Sequence, residues 1–175
     1  MKKVMSIVSV LAIAVISSGA AVGLSQNVVL SEPAKMAQAD DSYLMEVNTL
    51  LKGNREIARQ ITTKLKIESS STTPGTGNLP EQNNALIIRN QSLFRQIAAK
   101  MGIQTNTAVP IDGSLIEQNH MLLRQNRIIV MMIMDSLGIP TTGSLPSSGS
   151  LVQQNRDLLM GNRKSLEAIL AKLGA

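Results

Sequence analysis

The sequence contains no cysteine and no tryptophan, and only one histidine, one tyrosine and one phenylalanine. Without cysteine no disulfide can staple the fold in any redox compartment, so stability has to come from packing. A histidine-based metal site or a hydrolytic triad has nothing to draw on beyond His120 and scattered carboxylates. No haem-attachment motif is present, and the ten methionines read as ordinary core fillers. The near absence of aromatic rings leaves little for nucleobases to stack on, and the charges are dispersed without a basic run. Nucleic acid is therefore not an expected partner. Carboxylates such as Glu81 and Glu117 occupy helix-cap positions and form no convergent acid–base pair. The chain is read as non-enzymatic, with no cofactor, no metal and no small-molecule substrate identified.

What is present begins with an export pattern. Met1-Lys2-Lys3 is a short basic stretch, Val4 to Ile16 is apolar apart from Ser6 and Ser9, and the small residues Ser17-Ser18-Gly19-Ala20-Ala21 follow. This order matches a secretory signal peptide over residues 1–25. Cleavage after Ala20 or Gly23 has ordinary spacing, while Ala37-Gln38-Ala39 is a cleaner site as late as residue 39. The competing reading is an uncleaved anchor, since Val4 to Leu24 is just long enough for a bilayer core of roughly 30 Å. Membrane contact is expected only through this segment, and the location is exported: periplasm, cell surface or extracellular space. A 26–41 extended segment leads into the folded part. Without residues 1–39 the chain keeps 14 basic and 11 acidic residues, so the full-chain charge of +5 falls to +3.

Residues 42–175 carry four copies of a 36-residue unit (42–77, 78–113, 114–149 and 150–175) that align without a gap. Tyr43, Leu79, Leu115 and Leu151 form one column, and Leu50, Leu86, Leu122 and Leu158 another. Asn54, Asn90, Asn126 and Asn162 form a third, and Ile61, Ile97, Ile133 and Ile169 a fourth. Each unit reads as one helix of about 23 residues, roughly 35 Å long, followed by a Thr/Ser/Pro/Gly linker. This differs from the two-helix units of tetratricopeptide or ankyrin arrays. The predicted fold class is all-α, four single-helix repeats in a bundle or a parallel helix array.

Helix boundaries are explicit in the later copies. Asn78-Leu-Pro-Glu81, Ser114-Leu-Ile-Glu117 and Ser150-Leu-Val-Gln153 have the form of capping boxes, with Pro80 tolerated in a first turn. Gly102-Ile103 and Gly138-Ile139 have the form of Schellman stops, and Leu173-Gly174 repeats the signal. The first copy departs from the pattern, with Met45 for the glutamate and Lys66 for the glycine. Gly53 and Gly161 mark the outer helices and have no counterpart in the inner ones.

The apolar stripe of each helix contains asparagines seven residues apart: Asn83 and Asn90, Asn119 and Asn126, Asn155 and Asn162, with Asn54 alone in the first copy because Val47 takes the earlier place. These seven are predicted polar core layers. A buried amide without partners costs about 1–3 kcal/mol, so they must bond to one another, to backbone or to water. In coiled coils such layers fix register and partner number; a polar channel or a site for an ion or small polar ligand is the functional alternative.

The linkers leave two helix orders open, an up-and-down bundle and a parallel arrangement. At about ten to thirteen residues they exceed what adjacent antiparallel helices need, and thirteen extended residues span about 43 Å, enough to return along a helix. Matching polar with polar favours parallel helices in register, because reversal would set Asn83 against Ile97 or its counterparts.

Helix 3 alone carries a continuous apolar run, Ile128, Ile129, Val130, Met131, Met132, Ile133 and Met134. The run covers every side of a helix and suggests an association surface, or cover by the linkers and residues 27–39. It is too short for a membrane span and is bracketed by Arg124, Arg127 and Asp135. The expectation is an exported structural or interaction protein that self-assembles into a homo-oligomer, fibre or envelope layer. The alternatives are a binding module using the asparagine layers and a membrane-active helical protein.

Overall fold

The computed structural model describes residues 41–68, 77–105, 113–141 and 143–174. The signal segment and the chain up to residue 40 lie outside the described residues, as do most of the first two linkers. Four helices form the described part: α1 (Asp41–Lys64), α2 (Leu79–Lys100), α3 (Leu115–Ser136) and α4 (Leu151–Lys172). α2, α3 and α4 start at matched positions of the 36-residue unit, and α1 starts just ahead of the matched residue, Tyr43. Each packs on two others, α1 on α2 and α4, and α3 on α2 and α4, so the four repeats close into a ring around one core.

The helices run parallel and in register. Hydrogen bonds between successive helices join residues 34 to 39 positions apart, from Asn83 with Leu44 near one end to Arg127 with Ser165 further along. In an antiparallel pair the separation would change steadily along the helix; here it stays near the repeat length. The closing contact obeys the same rule, since Asn54 of α1 bonds to Leu159 of α4, 105 residues away, close to three repeats. The core accordingly divides by height. Val47, Leu51, Leu86, Ile87, Leu122, Leu123, Leu158 and Leu159 pack together towards the N-terminal ends. Ala58, Ile61, Phe94, Ile97, Ile129, Ile133, Leu166 and Ile169 do so towards the C-terminal ends. Every helix contributes to both clusters, and each fully buried Leu or Ile contributes about 1.5–3 kcal/mol.

The helix ends and the core follow the sequence signals with two departures. In α2, Asn78 and Glu81 form the complete capping box, Glu81 N–H donating to Asn78 Oδ1 at 3.1 Å and Asn78 N–H to Glu81 Oε2 at 3.2 Å. In α3, Glu117 Oε2 accepts from both the backbone N–H and the hydroxyl of Ser114, at 2.8 and 2.7 Å. In α4 the serine half is present, Gln153 N–H donating to Ser150 Oγ at 3.2 Å. The Schellman stops form at Gly102 and Gly138, with Ile103 N–H on Ala98 O and Ile139 N–H on Met134 O, both at 2.9 Å. The first departure is that α1 ends the same way although it lacks the glycine: Lys66 takes the left-handed conformation, φ 54°, and Ile67 N–H reaches Thr62 O at 2.9 Å. Packing of Ile67 against the C-terminal cluster holds the turn that residue type alone does not favour.

The second departure concerns polar burial. Asn54, Asn83, Asn90, Asn126, Asn155 and Asn162 are all buried, but Asn119 is half-buried. The α3–α4 linker performs the return that its length allowed. A Cβ at Gly143 would lie 3.9 Å from Arg127 Nη2, midway along α3, and Leu145 packs on the N-terminal cluster before Ser150 opens α4.

Candidate functional site

The polar residues inside the bundle form three tiers, each built by the same junction repeated around the ring. The tier nearest the N-terminal ends pairs the residue after the early asparagine column with the asparagine of the next helix. Asn48 Nδ2 donates to Asn83 Oδ1 at 2.7 Å, and Asn84 Nδ2 to Asn119 Oδ1 at 2.7 Å. At the third junction His120 Nδ1 meets Asn155 Oδ1 at 2.8 Å, and against an oxygen acceptor Nδ1 is the donor. Asn83 Nδ2 also donates to Leu44 O at 3.0 Å. The fourth junction, α4 to α1, is different because Val47 offers no amide. There Arg156 Nε pairs with Glu46 Oε1 at 2.8 Å on the rim, and Tyr43 hydrogen-bonds Asn155. Burial raises the Tyr43 phenol pKa above its ordinary value, the Asn155 bond opposes this, and the charge of Glu46 adds to it.

Sequence reasoning placed the early asparagines opposite one another and missed their true partners, Asn48, Asn84 and His120. Their position had the look of a variable slot because asparagine, histidine and arginine all occur in it. The usable signal was that every residue in that slot can hydrogen-bond to an amide.

The middle tier lies between the two apolar clusters. Asn90 Nδ2 donates to Leu51 O at 3.0 Å, Asn126 Nδ2 to Ile87 O at 3.3 Å, and Asn54 Nδ2 to Leu159 O at 3.1 Å. Each amide thus reaches the same backbone position of the preceding helix, and α1 reaches α4 to close the ring. Asn162 holds this column in α4 and is equally buried. The side-chain oxygens of all four, Asn54, Asn90, Asn126 and Asn162, are buried without a hydrogen-bond partner.

A third tier lies in the seams between neighbouring helices, with Arg127, Ser165 and Gln91 buried there. Arg127 Nη1 donates to Gly161 O at 2.9 Å and to Ser165 Oγ at 2.6 Å, and burial lowers its pKa. A Cβ at Gly161 would lie 3.5 Å from Arg127 Cζ, and one at Gly53 would lie 3.8 Å from Arg163 Nη1. The outer-helix glycines therefore give the guanidinium of the preceding helix a bare backbone to lie on. At the same height Gln91 Nε2 donates to Gln125 Oε1 at 3.0 Å. Arg55 faces Arg59 and Arg89; burial first, then these two charges, lower its pKa.

The apolar run of α3 is divided between inside and outside. Ile129, Val130, Ile133 and Met134 are buried, Met131 is half-buried, and Ile128 and Met132 are exposed. Among the described residues no group of His, Cys, Asp or Glu is arranged to hold a metal ion, and no helix is long and apolar enough to cross a membrane. His120 also lines a shallow, open depression with Gly113, Glu117, Met121 and Leu151.

No known protein family, curated protein or solved structure matches the chain.

Proposed function

We propose that the protein is an exported, non-enzymatic structural or interaction protein that pairs with a second copy of itself through the outer face of α3. The carrying observation is a comparison the molecule makes with itself. Met121, Ile128 and Met132 are 45%, 43% and 37% exposed and lie seven and four residues apart, the spacing of a helix-pairing seam. The other three helices meet the same structural demands at these columns with mostly polar residues: Thr49, Ala85 and Asp157; Glu56, Ser92 and Lys164; Gln60, Gln96 and Ala168. The fold does not require apolar side chains there, so a surface use accounts for them.

Charge placement favours a second copy as the occupant. Arg124 precedes the exposed pair Ile128 and Met132, and Asp135 follows it on the same side of the helix. In a two-fold antiparallel pairing Ile128 packs near the partner's Met132, and Arg124 falls across from the partner's Asp135. Export rests on the basic, apolar and small-residue order of residues 1–25.

Analytical ultracentrifugation of the purified protein tests the pairing. A dimer is expected, dissociating at least tenfold more readily when Ile128→Lys and Met132→Glu are combined, with the helical melt of the subunit retained. Arg124→Asp should weaken it and Asp135→Arg, added to that change, should restore it. A protein that stays monomeric at 100 µM sinks this reading. A second reading, a binding module, is favoured by the four unpartnered oxygens of the middle tier.

A further inference from the structure

We infer that the middle tier binds a monovalent cation of the potassium or ammonium class at the side-chain oxygens of Asn54, Asn90, Asn126 and Asn162. This deepens the binding reading and stands apart from the pairing of copies through α3. The four residues are each 1% exposed, and their Oδ1 atoms have no hydrogen-bond partner. They occupy one column of a parallel, in-register bundle, so each helix delivers one oxygen at the same height of the interior.

The orientation of three of the amides is fixed by their other ends, and the fourth, Asn162, occupies the same column. Nδ2 of Asn54, Asn90 and Asn126 donates to the backbone carbonyls of Leu159, Leu51 and Ile87. A flipped amide would set oxygen against carbonyl oxygen, so the unpartnered atoms are the acceptors. A ring of acceptors excludes an anion. One water donates two hydrogen bonds and leaves two oxygens unmet, each at a cost of about 1–3 kcal/mol, whereas one cation engages all four. The ligands are neutral amides, and among the described residues no acidic cluster adds charge. A small divalent ion that holds its waters tightly is poorly served by such a set. A large monovalent cation accepts rings of neutral carbonyl oxygens.

The site also has a reason to lie where it does. Above and below it the core is apolar, and a cation shared by four helices would tie their heights together. Register along a parallel bundle is what apolar layers alone specify least.

The test is thermal unfolding of the purified protein in the chlorides of tetramethylammonium, sodium, potassium and ammonium at one ionic strength, with thallium-205 NMR as direct detection. Expected is a saturable rise in Tm, on the order of 5 °C, in potassium or ammonium relative to tetramethylammonium. A shifted thallium resonance displaced by potassium should accompany it. Asn90→Leu with Asn126→Leu should abolish both, and Asn90→Ala, which removes one oxygen from the ring, should weaken thallium binding at least tenfold. Equal Tm in all four salts without a bound thallium signal overturns the proposal, as does a cation effect of equal size in the leucine variant. If that variant does not fold, thallium binding that is unchanged in Asn90→Ala overturns it instead.

Discussion

At the scale of single residues, the repeat works by reusing a few backbone devices, and its exceptions show which side chains matter. Lys66 adopts the left-handed conformation, φ 54°, that Gly102 and Gly138 occupy in the next two copies. An L-residue there costs about 1–2 kcal/mol, partly offset by the greater freedom glycine has in the unfolded chain. Lys66→Gly is therefore expected to stabilise the protein by about 0.5–1 kcal/mol, read as a higher urea midpoint at unchanged slope. The glycine stops and the acidic caps were legible in the sequence because each uses a residue type suited to one conformation. The α1 stop was not, because lysine at position 66 carries no such signal and the turn is held by Ile67. Glu117 gives a pH dependence of known sign. The Ser114 hydroxyl, then the Ser114 backbone N–H, lower its pKa below the ordinary 4.5. A carboxyl depressed on folding stabilises above its unfolded pKa, and that contribution is lost as pH falls through the folded value. Acidification below 4.5 should thus loosen the first turn of α3, seen as faster amide exchange at Ser114, and Glu117→Gln should remove this acid-dependent step.

At the scale of helices, the junctions are variations on one design, and the differences are compensated across each interface. Where α3 presents Arg127, α4 presents Gly161; where α4 presents Arg163, α1 presents Gly53; where α2 presents Gln91, α3 presents Gln125. The α1–α2 junction breaks this logic by setting Arg55 towards Arg89; burial is the main cause of the lowered Arg55 pKa, and the charges of Arg59 and then Arg89 add to it. A like-charge contact on a partly exposed surface is weakened by salt. Wild-type stability in urea should accordingly rise with added sodium chloride, and Arg89→Glu should raise stability by a few tenths to about 1 kcal/mol at low salt while reversing the salt trend at this junction. An Arg89→Glu protein less stable than wild type at low salt would show that the arginines are held by other groups. The sequence revealed Gly53 and Gly161 as peculiar to the outer helices without a reason. Their purpose lies in the residue two positions on and one helix back, a relation visible only once the helices are known to be parallel. Parallel order was favoured but not fixed by the sequence, because linkers this long serve either order and only the asparagines at matched heights point to it. The offset that pairs Asn48 with Asn83 was not, since a 36-residue period aligns equal columns and says nothing about contacts between unequal ones.

At the scale of the whole molecule, the closing contact between α4 and α1 carries the strongest consequence. An open array of repeats leaves two ends, each with an unmet face, and capping units normally cover them. Here the asparagine of α1 reaches the backbone of α4 as those of α2 and α3 reach the helix before them, so four repeats meet every junction and leave no such face. Chain order around the ring then has little structural content: the position of the termini is set by where the duplication begins, and each return linker joins helices whose ends are a helix length apart. A permuted chain in which α1 is moved behind α4, joined through a second copy of residues 137–150, should form the same bundle. It gains a linker at the α4–α1 junction and loses the one between α1 and α2, and both junctions keep their hydrogen-bonding residues. Expected are a helical circular dichroism spectrum like that of the parent, one cooperative melt within about 5 °C of it, the scale of a change near 1 kcal/mol, and the same cross-helix contacts from Asn54 to Leu159 by NMR. If the permuted chain is molten or aggregates while the parent folds, the α1–α2 linker contributes more than connection, and the equivalence of the four junctions fails.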